Sequence, residues 1–473
     1  MLTRRLLRFL VPDAPRHRRT DRDAIPAAPF ASRSAAAPFL TERPVQPGLQ
    51  KPSLVSSCVG VIDTILLAIP EYGIATYAAQ YQSLIGALRA GTRFVVVHHR
   101  SFRAPIEAWF RNAGHTAENL TYVPLPDYVS FTDWAEDGYV AVEDGVDGSR
   151  YLVEPWEFPR AGDALIAESV QEYAGITASQ APLIFQGGNC LIGSDFWLLG
   201  KDYFADSVAL LEGDRPPVDV PAGRTNEAFV RQLFQDYVEA ERRLIVLGTN
   251  RPIALRPLRG TKAGNDFFLD VVGDGAGTYQ PIFHIDMFVT LLGPGATGSF
   301  DVLVGSPALA DPLLGTTSPF ALSEVYDTLA AQLTTAGLNV QRNPLVHRPT
   351  VGRRTSLDEL RASAAEPGNE TLADAVDELV ALGARDGSAI RVRTWHHVTW
   401  NNCLVETSTV AGRHVYLPTF GHGANADLKP IDDAMKALWE SLGFTVHMLG
   451  DFNEFARRQG VVHCIKKYLR RGE

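Results

Sequence analysis

Gly460-Val461-Val462-His463-Cys464-Ile465 is a short apolar run that delivers a histidine and a cysteine at its end. It lies between Gln459-Gly460 and the basic run Lys466-Lys467-Tyr468-Leu469-Arg470-Arg471, and reads as a buried strand emerging at a sheet edge. Cys464 would sit at that edge. A thiolate is the readiest nucleophile among side chains, although only a small fraction of cysteine is ionised at neutral pH. A single strand-end cysteine more often packs as a small hydrophobe. The residues upstream decide between the two readings.

With 473 residues, 45% hydrophobic and 21% charged, the chain can bury a large core without dividing into many domains. Cys58, Cys190, Cys403 and Cys464 are too few and too scattered for a disulfide framework, and no pair has zinc-knuckle spacing. A reducing, cytoplasmic setting is the expectation. A formal charge of -10 argues against nucleic acid as a partner and favours a cationic one. No apolar run is long enough for a bilayer.

Residues 1–50 read as an arm, arginine-rich at first and then dominated by Ala, Pro and Ser, too poor in apolar surface to offset its ordering entropy. Arg8 and Pro12-Asp13 interrupt what would otherwise resemble an exported leader. Residues 51–473 read as a single catalytic domain with surface insertions near 206–224 and 353–388, the second broken at Pro367-Gly368.

Within that domain strand-like runs alternate with helical patterns. Strands are expected at Val61 to Pro70, Phe94 to Val97, Leu120 to Leu125, Leu244 to Leu247, Leu338 to Val340 and Phe444 to Val446. Helices are expected at Ile74 to Arg89, Pro105 to Ala113, Asn226 to Arg243, Leu322 to Ala336, Ser356 to Ala364, Leu372 to Leu382 and Ile431 to Leu442. The alternation points to an α/β protein. The glycine-rich Gly273 to Gly277 lacks dinucleotide-site spacing and no helix clearly follows it.

Four strings carry chemistry. Trp134-Ala135-Glu136-Asp137 places a carboxylate beside a tryptophan where a loop enters a strand. Gln186-Gly187-Gly188-Asn189 has paired glycines that permit a sharp turn or a close backbone approach. Phe283-His284-Ile285-Asp286-Met287, read as extended, would point His284 and Asp286 to one face. The Cys464 edge is the fourth, where His463 would face away from the thiol. The remaining histidine pairs lack a convincing metal-ligand pattern.

Together these strings resemble the guanidino-group-modifying enzymes of the pentein superfamily, in particular agmatine deiminases and peptidylarginine deiminases. Trp134-x-x-Asp137 is similar to their Trp-x-x-Asp, His284-Ile285-Asp286 to their His-Val-Asp, and Gly460-Val461-Val462-His463-Cys464 to the Gly-x-Val-His-Cys of peptidylarginine deiminases and the related Ile-His-Cys of agmatine deiminases. Asn401-Asn402-Cys403-Leu404-Val405-Glu406 also resembles the agmatine deiminase stretch before the last repeat. The resemblance implies a five-fold pseudosymmetric α/β propeller around a polar channel. It implies Cys464, His284, Asp137 and Asp286 as catalytic residues, with Asp137, Asp286, Trp134, Gly187, Gly188 and Asn189 at the substrate. It implies no cofactor, and calcium dependence cannot be read.

The chemistry also follows from the side chains. A guanidinium presents its donors in a planar fork, so two carboxylates can hold it with charge-assisted bonds and leave its central carbon open above and below. A cysteine can attack that carbon while a histidine moves protons. The expected activity is deimination of arginine within a peptide or protein. Free arginine or agmatine as substrate, amidino transfer to an amine, and catalytically silent guanidinium binding are the alternatives. One departure stands out: both families carry a threonine two residues after the cysteine, where this chain has Lys466.

Overall fold

The structure, a computed structural model, describes residues 48–253, 257–272, 278–295, 298–315, 318–366 and 368–473. Nearly all of the 1–50 arm, the Gly273 to Gly277 turn and Pro367 lie outside the described residues.

The described strands form five sheets, and one unit recurs in each. An antiparallel pair is followed, across a helical connection, by a third strand parallel to the second, because parallel neighbours need a long crossover. Arg150–Glu154 pairs antiparallel with Val140–Asp144 and parallel with Thr177–Gln180, across the helix Ile166–Ala174. Phe196–Gly200 joins Cys190–Ile192 and Arg243–Leu247 in the same way, across Lys201–Glu212 and Asn226–Tyr237. Phe300–Ser306 joins Val289–Pro294 and Asn339–Ser356, and Gly412–Thr419 joins Leu404–Ser408 and Thr445–Asp451. The fifth unit is assembled from both ends of the described chain. Lys466–Gly472 pairs antiparallel with Val61–Ile69, which pairs parallel with Arg93–His99 and so with Leu120–Leu125. The chain is thus a mixed α/β structure, and none of its described sheets closes on itself.

Apolar residues from most of these units merge in one large core, in which Trp400, Trp439, Tyr326 and Tyr416 are almost wholly buried. A smaller core lies in the 353–388 region. There Leu357, Leu360, Leu372 and Leu379 cover Leu258, Leu269, Ile390 and Val392 of the six-stranded sheet. The 206–224 region begins inside the helix Lys201–Glu212.

Several local expectations change. The helix foreseen from Ile74 to Arg89 is two, Glu71–Thr76 and Ala78–Ala87, broken at Tyr77. The helix foreseen to Arg243 stops at Tyr237, and the short run near Val340 extends to Ser356 because it crosses between two neighbours. Gly460 to Ile465 is a turn, and the strand begins at Lys466. The run after His284 is not extended either: Ile285–Met287 forms a turn of 3-10 helix. Both changes trace to asparagine side chains that bind backbone groups and compete with strand pairing.

Candidate active site

Asn402 builds the cysteine turn. Its Oδ1 accepts from the N–H of Val461 at 3.1 Å, of His463 at 2.9 Å and of Cys464 at 3.3 Å. Its Nδ2 donates to Cys464 Sγ at 3.3 Å. Gln459, just before the turn, takes the left-handed φ of 61°, which costs a non-glycine residue about 1 kcal/mol. Gly460 is required next, because a Cβ there would come within 2.3 Å of the Trp134 ring.

Asn189 builds the second turn. Its Oδ1 accepts from Ile285 N–H at 2.9 Å and from Gln280 at 3.0 Å, while its Nδ2 donates to Phe283 O at 2.8 Å. These bonds curl the chain at Ile285 and set the buried His284 and Asp286 on either side of it. The paired glycines before Asn189 explain themselves by contact. A Cβ on Gly188 would lie 2.4 Å from His284 Nδ1, and one on Gly187 would lie 2.1 Å from Glu136 O.

The four residues singled out from sequence converge. Cys464 Sγ lies 3.9 Å from Asp286 Oδ2, and His284 Nδ1 lies 3.8 Å from Asp137 Oδ1. The two pairs are joined by the backbone, since Glu136 N–H donates to Cys464 O at 3.1 Å and Gly187 N–H to Asp137 O at 3.3 Å. Trp134 is buried against Gly460, with the Arg458 guanidinium 4.9 Å over its ring.

Residues that sequence reasoning passed over complete the site. His463, expected to face away, donates or accepts through Nδ1 at Asp286 Oδ2, 2.8 Å away, because a turn sends neighbouring side chains to the same side where a strand would not. Gln186 Oε1 meets His284 Nε2 at 2.8 Å. Arg160 Nη2 donates to Asp137 Oδ2 at 2.7 Å, and its Nε meets Asp163. Lys466 and Lys467 both bind Glu136. Asn402 had a sequence signal, the Asn-Asn pair in the agmatine deiminase-like stretch; Gln186, His463 and Lys466 stand in quoted strings that gave them no partner, and Arg160 had no pattern at all.

The electrostatics are set by burial and acids. Burial pushes the Cys464 thiol well above its usual range, and Asp286 and then Asp137 push it further, with Val461 N–H and Asn402 opposing. Burial likewise raises Asp286, aided by Glu136 and Asp137. His463 is held neutral, first by burial and then by Lys466, Lys467 and Arg471. Asp286 Oδ1 is buried and has no hydrogen-bond partner among the described residues. No group of three or more potential metal ligands occurs among the described residues, and no helix there is long and apolar enough to cross a membrane.

No family model matches the chain, and no curated protein matches it in sequence. Solved structures do. The C. jejuni agmatine deiminase shares 10% identity over 89% of this chain and 96% of its own, with a TM-score of 0.50. A structural-genomics target assigned as an agmatine deiminase shares 14% identity over the same 89% and 96%, with a TM-score of 0.51. With almost the whole of both structures matched, the polypeptide has the fold of these agmatine deiminases.

Proposed function

We propose that this chain is a cysteine-dependent hydrolase that deiminates the guanidino group of a small substrate, agmatine or free arginine. The observation that carries the reading is the buried Asp286 carboxylate beside Cys464, with one oxygen on His463 and the other, Oδ1, without a partner among the described residues. Leaving such an acceptor unpaired costs about 1–3 kcal/mol, more when it is charged, and a guanidinium N–H is the donor that matches it. Asp137 supports the same reading, because it already accepts a guanidinium donor, from Arg160, at 2.7 Å.

The earlier preference for arginine within a peptide gives way to the small-substrate alternative. The peptide preference came from a resemblance shared by two families, and the structural neighbours carry the name of one of them. The five repeated units, with the last strand Lys466–Gly472 paired onto Val61–Ile69 near the other end of the described chain, suit a five-bladed ring around the site, which we include in the proposal.

In the proposed reaction the substrate cation lies between Asp137 and Asp286 and lowers the free energy of the Cys464 thiolate. His284, with its Nε2 on Gln186, takes the thiol proton at Nδ1 as sulfur bonds to the guanidinium carbon. The imidazolium returns that proton to the departing nitrogen, the C–N bond breaks and ammonia leaves. Water then attacks the amidino-thioether and His284 accepts its proton. The C–S bond breaks, which frees the cysteine and a ureido product. In this scheme Asn189, Gly187 and Gly188 place His284 and Asp286, and Trp134 backs the cysteine turn.

Mass spectrometry after incubation with agmatine, free arginine and an arginine peptide tests the proposal. We expect replacement of a nitrogen by oxygen in a small guanidino compound, ammonia release without an added amine, and no conversion by Cys464→Ala. Conversion of the peptide alone would restore the first preference, and no conversion of any of the three would defeat the reading.

A further inference from the structure

The two lysines that replace the family pattern after Ile465 are not at the surface. Lys466 Nζ lies 2.7 Å from Glu136 Oε2 and Lys467 Nζ lies 2.7 Å from Glu136 Oε1. Lys466 is 0% exposed, Lys467 4% and Glu136 5%. One carboxylate therefore answers two ammonium groups, and one positive charge is left over inside the protein. An unpaired buried charge is costly unless another of opposite sign stands near. The nearby acids are those of the site.

The clamp also has a mechanical side. Glu136 precedes Asp137, and its N–H holds Cys464 O. Lys466 and Lys467 follow the same cysteine by two and three residues. Gripping Glu136 therefore binds the nucleophile turn to the carboxylate turn at three points. Gly187 is shaped around this grip, since a Cβ there would lie 2.3 Å from Lys467 Nζ.

The groups facing one another are few. Lys466 bonds to Glu136, has the Tyr468 ring 3.8 Å from its ammonium, and feels the charges of Lys467 and Asp286. Burial pulls Lys466 down to about 8, with Glu136 opposing. Asp286 touches Asn402, His463 and Cys464 and feels the charges of Glu136, Asp137 and Lys466. Burial, Glu136 and Asp137 disfavour its charge, while Lys466 and Asn402 favour it.

We propose that Lys466 is a positioning residue of this site: with Lys467 it grips Glu136 to hold the Cys464 turn on the Asp137 turn, and its surplus charge keeps Asp286 ready to receive a guanidinium. The inference rests on the guanidinium-site reading above and extends it, since it gives the residue that replaces the family's threonine a function of its own.

The test follows kcat/KM for agmatine and free arginine against pH in the wild type, Lys466→Met, Lys466→Gln and Lys466→Arg. Only ionised Asp286 can take the cation, so removing a nearby positive charge should move the acid limb upward. We expect a shift of about one pH unit in Lys466→Met, carried by KM more than kcat, and its recovery in Lys466→Arg. Lys466→Gln keeps a donor for Glu136 without the charge and should shift as Lys466→Met does, so a folding failure in one leaves the other to decide. In parallel, methylguanidine binding to the Cys464→Ser chain, with and without Lys466→Met, is followed by calorimetry across the same pH range. Acid limbs and binding profiles that do not move overturn the proposal. Shifted methylguanidine binding without turnover of any guanidino compound upholds it and defeats the hydrolase reading. Absence of methylguanidine binding by Cys464→Ser defeats both.

Discussion

Cys403 and Cys464 are equally buried thiols, each 3% exposed, yet their surroundings differ in kind. Burial alone pushes Cys403 up, against modest opposition from its own N–H and Thr290. Cys464 is pushed up by burial and again by Asp286 and Asp137. The first cause is permanent, whereas the second is cancelled when a cation settles between the acids. In the proposed reaction, therefore, Cys464 and not Cys403 is the thiol that a bound cation would switch on. Asn402 stands between the two, beside Cys403 in sequence and hydrogen-bonded to Cys464 in space.

The sharpest way to break this contrast is to delete each thiol. Cys464→Ala should lower kcat by a factor on the order of 10^4 or more, as loss of a nucleophile does. Cys403→Ala should keep activity and lose about 1 kcal/mol of stability by chemical denaturation. An amidine-bearing electrophile should label Cys464 alone, and much faster than a neutral haloacetamide does. Equal rates at matched saturation would remove substrate-assisted ionisation from the account.

Next in size is Asp286→Asn, which takes away one of the two acids. Loss of a charge-assisted partner should cost about 2–5 kcal/mol in kcat/KM, and Cys464 in the empty enzyme should become easier to alkylate because one of the charges opposing its thiolate is gone. The pH profile sharpens the point. Asp286 titrates above the usual carboxylate range, so activity should fall as pH drops through that raised value, whereas the variant should lose this limb. The smallest effect expected on turnover among the site variants is that of Gly188→Ala. Its Cβ would meet His284 Nδ1 at 2.4 Å, and displacing the ring should lower kcat by about 100-fold while Cys464 labelling is kept. Unchanged turnover would mean that His284 has room to spare and is not the base.

Much of this was open to reading in one dimension. The alternation of strands and helices survives in outline, and Leu120–Leu125 has the expected ends. The four side chains that the family strings pointed to, Cys464, His284, Asp137 and Asp286, share one neighbourhood. The errors came where side chains bind backbone: periodicity assumed strands at Ile285 and Val462, but Asn189 and Asn402 make turns there. Arg160, Gln186 and His463 were missed for another reason: their side-chain partners are between 23 and 177 residues away in sequence.

What the amino-acid order determined by itself was the chemical inventory: a thiol after His463, two acids and a histidine in family spacing, and an acidic chain suited to a cation. What only the three-dimensional arrangement decided was who faces whom. Lys466 and Lys467 look like a solvated basic tail in the letters, yet they are buried on Glu136, some 330 positions away. Residue types follow from local preference and composition, but the field at Cys464 depends on distances between remote segments, and these exist only once the final strand has paired with the first unit.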